Sequence, residues 1–150
     1  DGMKKVRRVT SITEVRKDWD KDPLLENGFC DLFKYNSIND RLEISDDLIN
    51  GESDILKAIG ANVKQWAGNW NAIWDNIMLR AKIKQLQIDM AIKYGNDEII
   101  EAKSIIDAND MFHKISEKIN NEYGFLDSKK IYFEFEHWFL DYIKKYTGEE

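Results

Sequence analysis

Apolar residues recur every three or four positions through the second half of the chain, most clearly over residues 69–94. This spacing predicts one long α-helix there, because residues three and four apart share a helix face. Two apolar lines run along it. The broader line contains Trp70, Ile73, Trp74, Ile77, Met78, Ala81, Ile88, Ala91 and Ile92, and the second contains Leu79, Ile83, Leu86 and Met90. The helix would be roughly 35–40 Å long, and we expect other elements to pack on more than one side of it.

The first 45 residues follow a different pattern, rich in β-branched and aromatic residues. The Val, Ile and Thr residues of 4–15 favour a strand, and residues 16–27, with the only proline, are predicted to form a loop. Residues 29–35 and 41–45 flank a turn-rich segment and predict a β-hairpin. Its expected packing residues are Phe33, Tyr35, Leu42 and Ile44.

From residue 46 onward, helical spacing alternates with helix-ending residues. Ser53 is a predicted N-cap, Asn69 caps the long helix, and Gly95 ends it. A short helix is expected to start at Asn96 or Asp97 and to be interrupted at residues 107–110. The next helix would close at Gly124, and the last would start at Asp127 or Ser128, with an apolar stripe of Ile131, Tyr132, Phe135, Trp138, Phe139, Tyr142, Ile143 and Tyr146.

These patterns predict an α+β fold that is predominantly helical. A short N-terminal strand and a β-hairpin would be followed by about five helices packed around one long central helix. The chain of 150 residues is 43% hydrophobic, enough for one domain with a real core. We therefore expect residues 1–150 to form a single domain, with a strand and hairpin segment at 1–45 and a helical bundle at 46–150.

Composition limits the partners of the chain. Its formal net charge is −6 and its pI is near 5.0, which argues against a nucleic-acid binder because phosphate contacts require a basic face. One basic cluster contains Lys4, Lys5, Arg7 and Arg8. We expect it to serve solubility or a local ion pair, with a specific anionic partner as the alternative.

Cys30 is the only cysteine. It excludes an intramolecular disulfide and fits a reducing compartment, and its neighbours Phe29 and Leu32 predict a buried thiol. No apolar stretch approaches the ~18 residues needed to span a bilayer. We therefore expect a soluble, cytoplasmic chain without direct membrane insertion. Because the first residue is Asp, we expect a processed, tagged or excised piece of a longer protein.

Motifs for catalysis are missing from the sequence. It has no Walker loop, GxSxG or HExxH motif, so no catalytic, cofactor-binding or metal-binding residue is predicted. Asp110 with His113, and Glu134 with His137, have the i, i+3 spacing seen in di-iron bundles. Both pairs fall on the polar sides of their predicted helices, so two solvated faces are the preferred interpretation.

Trp66, Trp70 and Trp74 follow one another at helical spacing. Such tryptophans usually belong to a core, and Ile73 and Ile77 extend the same face. If two of these rings are exposed together, they form the best candidate interaction patch on the chain.

The segments KKVRRVTSITEV and FCDLFKYNSINDRL resemble the region that follows the nucleotide-binding core in the archaeal branch of the type II/type IV secretion ATPases, the motors of pilus and archaellum assembly. The residues that carry the resemblance, which covers about residues 4–123, are Arg7, Arg8, Val9, Ile12, Glu14, Phe33, Tyr35, Asp40, Leu79, Arg80, Ala81, Asp110, Met111, Phe112, Ile119 and Tyr123.

The resemblance implies a hexameric parent ATPase whose ATP and Mg sites lie upstream of residue 1. The family's Walker A, Walker B, Asp-box and His-box motifs match no position here, and His113 and His137 are not assigned to the His box. The chain would be a non-catalytic C-terminal part that contacts the upstream motor domain, a neighbouring subunit or the membrane platform protein. It would be cytoplasmic and reach the membrane only through a partner.

Two other hypotheses stay open. In the first, the chain is a free-standing helical protein-interaction or regulatory module. A start codon near Met3 would favour it, whereas an upstream Walker loop would favour the ATPase fragment. In the second, the chain is a metal-dependent helical enzyme, which requires iron or manganese to co-purify and to be lost on changing His113 or His137 to Ala.

Overall fold

Three strands precede six α-helices and one 3-10 helix in the computed structural model, which describes residues 6–148. The strands are β1 (Ser11–Val15), β2 (Phe29–Asn36) and β3 (Arg41–Ile44). The helices are α1 (Asp46–Ile49), α2 (Asp54–Ala61), α3 (Trp70–Tyr94), the 3-10 helix (Asp97–Ile100), α4 (Ala102–Tyr123), α5 (Ser128–Tyr142) and α6 (Lys144–Thr147). The predicted α+β, predominantly helical class is therefore confirmed.

The described chain divides into two compact units between Ile73 and Trp74. The first unit contains the sheet, α1, α2 and the first turn of α3. The second contains the rest of α3 and all later helices. The predicted boundary between sheet and bundle lies at residue 45, whereas α1 and α2 belong to the same unit as the sheet. The single-domain hypothesis is not decided by this division and stays a prediction.

The sheet of the first unit is antiparallel, with strand order β1-β2-β3. Ser11 pairs with Lys34, and the register shifts by one residue between Ile12 and Thr13. The predicted strand over 4–15 is too long: residues 6–10 are not strand, and Lys4 and Lys5 lie outside the described residues. The reason is the end of β2 at Asn36. Thr10 still accepts a hydrogen bond of 2.8 Å from the N–H of Tyr35, but in the register that pairs Ser11 with Lys34 residues 6–8 lie beyond the last residue of β2.

The hairpin forms where it was predicted, but its packing differs. Phe33 pairs with Ile44 and Tyr35 with Leu42, so these four side chains share one face of the sheet. Leu42 and Ile44 are exposed, and Phe33 and Tyr35 are half-buried. The prediction that these four are packing residues is wrong for Leu42 and Ile44, because both lie on the edge strand β3, whereas α1 packs against β2, whose buried residue is Cys30.

The predicted long helix is confirmed as α3, and its buried face combines the narrower apolar line with Ile73 and Ala91 of the broader one. Leu79, Ile83 and Leu86 are buried, whereas Met78, Ile88 and Ile92 of the broader line are exposed. The expectation that elements cover both lines is therefore wrong for these three residues. Within residues 6–148 no helix, α3 included, has both the length and the apolar character that crossing a membrane requires.

Helices α4 and α5 form the closest helix pair of the second unit. Its core contains Leu79, Ile83, Leu86, Ala91, Ile99, Ala108, Phe112, Ile115, Ile119, Ile131, Phe135, Phe139 and Ile143. Gly124 ends α4 in the left-handed conformation, and Asp127 caps α5 by accepting from the N–H groups of Lys129 and Lys130, both as predicted.

The predicted helix break at residues 107–110 is wrong, since α4 runs through it. Asp107 accepts a hydrogen bond of 2.6 Å from the Tyr142 hydroxyl, and Ala108 is buried. Tertiary contacts with α5 thus outweigh the weak helix preference of Asp and Asn.

Candidate interaction surface on the long helix

A groove of about 730 Å³ lies between α3 and α5 within the second unit. Its apolar lining includes Met78, Leu79 and Ala81 from α3 and Tyr132 and Phe133 from α5. Leu79 is buried, whereas Phe133 is 71% exposed and Met78 is 45% exposed. Large apolar side chains that stay exposed beside a groove are typical of surfaces that bind a partner.

The exposed apolar surface continues along α3 beyond the groove. Ile88 is 43% exposed and Ile92 is 74% exposed. Together with Met78, Ala81 and Gln85 these residues form what we call the α3 stripe: positions 78, 81, 85, 88 and 92. The steps of three, four, three and four residues are the spacing of the contact positions in a coiled coil.

Charged residues follow one side of the α3 stripe, at Asp75, Lys82, Asp89 and Lys93. Asp89 accepts a hydrogen bond of 2.7 Å from the Gln85 amide. Asp75 accepts a hydrogen bond from the Ser128 hydroxyl. We call these four residues the charged edge; their signs alternate along the helix.

Tyr132 makes two contacts on the α5 side of the groove, one through its ring and one through its hydroxyl. The Lys82 ammonium lies 3.7 Å from the centre of the Tyr132 ring, which is a close cation–π contact. The Tyr132 hydroxyl donates to Glu136 at 3.0 Å. Partial burial, together with this hydrogen bond, raises the pKa of Tyr132 above its usual value. The Tyr132 ring thus faces Lys82 while its hydroxyl is held by Glu136.

The acid–histidine pairs considered from the sequence do not assemble into one site. Asp110, His113 and His137 are exposed, and Glu134 is half-buried. Glu134 accepts from the Lys118 ammonium at 2.9 Å, an ion pair between α4 and α5. Among residues 6–148 no group of three or more His, Cys, Asp or Glu side chains could hold a metal ion.

The three tryptophans form neither a fully buried core nor an exposed patch. Trp66, Trp70 and Trp74 are all half-buried. The Trp70 indole N–H donates to the carbonyl oxygen of Ile49 at 2.8 Å, which anchors the start of α3 within the first unit. The exposed apolar surface is the α3 stripe, which lies farther along the same helix.

Three residues that carry the family resemblance come together in the first unit. The Arg8 guanidinium donates to both carboxylate oxygens of Asp40, at 2.6 and 2.7 Å, and the Tyr35 hydroxyl donates to Asp40 at 2.7 Å. These hydrogen bonds hold the pKa of Asp40 well below its usual value. The predicted local ion pair of the basic cluster is thus confirmed for Arg8.

Cys30 is buried and free, as predicted. Its burial raises the pKa of the thiol above the ordinary value. A buried thiol with a raised pKa carries little thiolate at neutral pH, and the thiolate is the nucleophilic form. Cys30 therefore contributes to the packing of the first unit.

The spacing of the α3 stripe is visible in the sequence. The prediction that other elements cover both apolar lines of α3 does not take this spacing into account. Most of the buried residues of α3 lie on the side of Leu79, Ile83 and Leu86, and the opposite side is left exposed. The heptad spacing of Met78, Ala81, Gln85, Ile88 and Ile92, with charges immediately beside it, is the pattern of a second helix–helix contact.

Comparison with known proteins adds no relative: no protein-family model matches the chain, and no curated protein or solved structure is significantly similar to it. The resemblance to secretion ATPases therefore stays a prediction, and the function has to be inferred from the geometry of the chain itself.

Proposed function

We propose that this chain is a protein-interaction module that acts through contact and binds a helical partner on the α3 stripe and the adjoining groove. The observation that carries this proposal is the exposure of Met78, Ile88, Ile92 and Phe133 on two helices whose opposite faces build the core. Four large apolar side chains exposed along one surface cost free energy in water, and covering them with a partner recovers it.

The shape of the surface favours a helix as the bound element. The groove lies between α3 and α5, and an amphipathic helix commonly binds in such a groove through residues spaced three and four apart. The α3 stripe offers matching positions over the length of about four helical turns. The charged edge lies beside the stripe, where it can fix the orientation of the partner.

Site-specific photo-crosslinking in the native cells tests this proposal. A photoreactive amino acid would replace Ile92 or Phe133, and matched controls would carry it at Ile106, which is 60% exposed, and at Phe125, which is 58% exposed. We expect a discrete protein adduct, identified by mass spectrometry, from Ile92 and Phe133 only. Equal adducts at all four positions, or none at Ile92 and Phe133, would overturn the proposal.

A second proposal places the same module in a secretion or pilus-assembly ATPase, where it would contact the motor domain, a neighbouring subunit or the membrane platform. It is supported by the hydrogen-bonded cluster of Arg8, Tyr35 and Asp40, because these are residues of the resemblance that lie apart in sequence. The proposed location is the cytoplasm, with membrane association only through a partner.

Two observations test this second proposal. The native reading frame upstream of residue 1 should encode a Walker loop. Titration of this chain with ATP and Mg²⁺, followed by tryptophan fluorescence, should give no saturable change. A start codon near Met3, or micromolar nucleotide binding by these residues alone, would contradict it.

A further inference from the structure

We propose that the helical partner of the α3 stripe is a second copy of this chain, whose own α3 binds antiparallel to the first. This inference rests on the proposed function, since it names the partner of the same surface. The resulting interface is two-fold symmetric, so each copy presents the same residues to the other.

The stripe is suited to pairing with itself. Its heptad positions are Met78, Ala81, Gln85, Ile88 and Ile92, all on the half of α3 that faces away from the core. Antiparallel pairing can place Ala81 of one copy opposite Ile92 of the other, and Gln85 opposite Ile88. Each small or polar side chain then meets a branched apolar one. In a parallel pair Ala81 would face Ala81, and the space between the helices would be filled less well. In an antiparallel pair the two helix dipoles also point in opposite directions, which is electrostatically favourable.

Charge selects the register. In an antiparallel pair the charged edge of one helix lies along the charged edge of the other. The register that pairs Ala81 with Ile92 places Lys82 of each copy beside Asp89 of its mate, which gives two opposite-charge contacts. Shifting one helix by a heptad would instead bring Lys82 against Lys82 and Asp75 against Asp89. The alternating signs therefore favour one antiparallel register over its neighbour.

These charges are accessible for such contacts. Asp75, Lys82 and Asp89 are all exposed, and Asp89 accepts from the amide of Gln85 on the same side of α3, which leaves its second carboxylate oxygen able to accept from a lysine. Phe133 is exposed at the rim of the groove beside α3, where the second copy would cover it.

Analytical ultracentrifugation of the full chain, over a wide range of concentrations and at low and high salt, tests the proposal. We expect a monomer–dimer equilibrium for the unchanged chain. Lys82→Glu and Asp89→Lys should each weaken the dimer by about tenfold or more, because each replaces two attractive contacts by two repulsive ones. The double variant Lys82→Glu/Asp89→Lys should restore the dimer, since the carboxylate introduced at position 82 then faces the ammonium introduced at position 89.

Two controls separate pairing from folding. Lys114→Glu makes the same change of net charge at an exposed position on α4 and should leave the equilibrium unchanged. Ile92→Asp should abolish the dimer, whereas Ile106→Asp, also at an exposed position, should not. Far-ultraviolet circular dichroism and urea unfolding check that each variant is folded. If Lys82→Glu unfolds through loss of its contact with Tyr132, Asp89→Lys still reports on pairing.

Each result decides between the proposals. A double variant that stays as weak as the single ones overturns antiparallel pairing, because a parallel pair would bring Lys84 near Asp89 of the second copy. A monomer at every concentration, with an adduct at Ile92 to a different protein, overturns the second copy and leaves the proposed function standing. A monomer with no adduct at Ile92 or Phe133 overturns both.

Discussion

Glu14 and Ser53 form a buried hydrogen bond that joins β1 to the start of α2 within the first unit. The Ser53 hydroxyl donates to Glu14 Oε2 at 2.5 Å, and the N–H of Asp54 donates to Glu14 Oε1 at 2.9 Å. Ser53 also caps α2 by accepting from the N–H of Leu56 at 3.1 Å. Since both side chains are buried, one carboxylate satisfies donors that water cannot reach and sits favourably at a helix N-terminus.

Replacing Glu14 should therefore be costly. We expect Glu14→Ala to lower the free energy of unfolding by roughly 2–4 kcal/mol, because it leaves buried donors without an acceptor. Urea unfolding followed by circular dichroism measures the change. The control is Glu52→Ala, which removes an exposed carboxylate nearby and should cost less than about 0.5 kcal/mol. Equal effects of the two changes would contradict the role given to Glu14.

Gly60 should resist replacement by alanine even though alanine is the better helix former. A Cβ atom at Gly60 would lie 2.1 Å from Cδ1 and 2.6 Å from Cγ1 of Ile73. We expect Gly60→Ala to lower the free energy of unfolding by about 1–2 kcal/mol, since overpacking exceeds the gain of about 1 kcal/mol in helix propensity. In an Ile73→Ala background the same change should be neutral or stabilising. Additive effects in this double-mutant cycle would show that the two positions are not in contact.

Cys30 should react slowly with thiol reagents while the chain is folded. Burial limits access and raises the pKa of the thiol, so we expect its modification by a disulfide reagent at about pH 8 to be more than about tenfold slower than in the unfolded chain. The rate is measured by absorbance with and without denaturant. Since Cys30 is the only cysteine, the Cys30→Ser variant supplies the background. Similar rates in both states would contradict the buried position.

The contribution of Asp40 to the stability of the folded chain should disappear in acid. Its pKa in the folded chain is lowered from the ordinary 3.8, first by the hydrogen bonds from Arg8 and then by that from Tyr35. A lowered pKa adds stability that is fully present above the unfolded value and is lost as the pH falls through the folded one. We therefore expect the unfolding midpoint of the unchanged chain to exceed that of Asp40→Asn at about pH 7, and this difference to shrink below about pH 4.

The choice of asparagine keeps the backbone comparable. Asp40 has φ of 48°, in the left-handed region that Asn and Asp tolerate best among residues with a side chain. Asp18→Asn, at an exposed position, controls for the loss of one negative charge. Added salt should also reduce the Asp40 difference, because the ion pair with Arg8 is exposed and screened. A difference that grows in acid would contradict the assignment.

Much of the local structure could be predicted because its signals lie within a few residues. Ser53 and Asp127 start helices with their side-chain oxygens, and Gly95 and Gly124 end them with positive φ. These effects depend on backbone groups one or two turns away. The errors arose where a distant partner intervened: Tyr142 supports Asp107 in the middle of α4, from 35 residues away.

The candidate site shows the same limit. The apolar residues of the site could be identified from the sequence, but their exposure could not. Both apolar lines of α3 carry enough large apolar residues to form a buried face. The structure buries the line of Leu79, Ile83 and Leu86 together with two polar residues, Asn76 and Gln87. Asn76 is tolerated there because it accepts a hydrogen bond of 3.0 Å from Arg80.

The sequence by itself therefore determined the long helix α3, the start of α5, the hairpin and the predominantly helical α+β class, since periodicity and capping act through neighbouring residues. Only the tertiary structure decided which side of α3 faces the core and which is left in water. That choice depends on the apolar area offered by α4 and α5, whose residues are far from α3 in sequence. The heptad spacing of the α3 stripe indicates a helix–helix contact, but it does not say whether the partner helix belongs to the same unit.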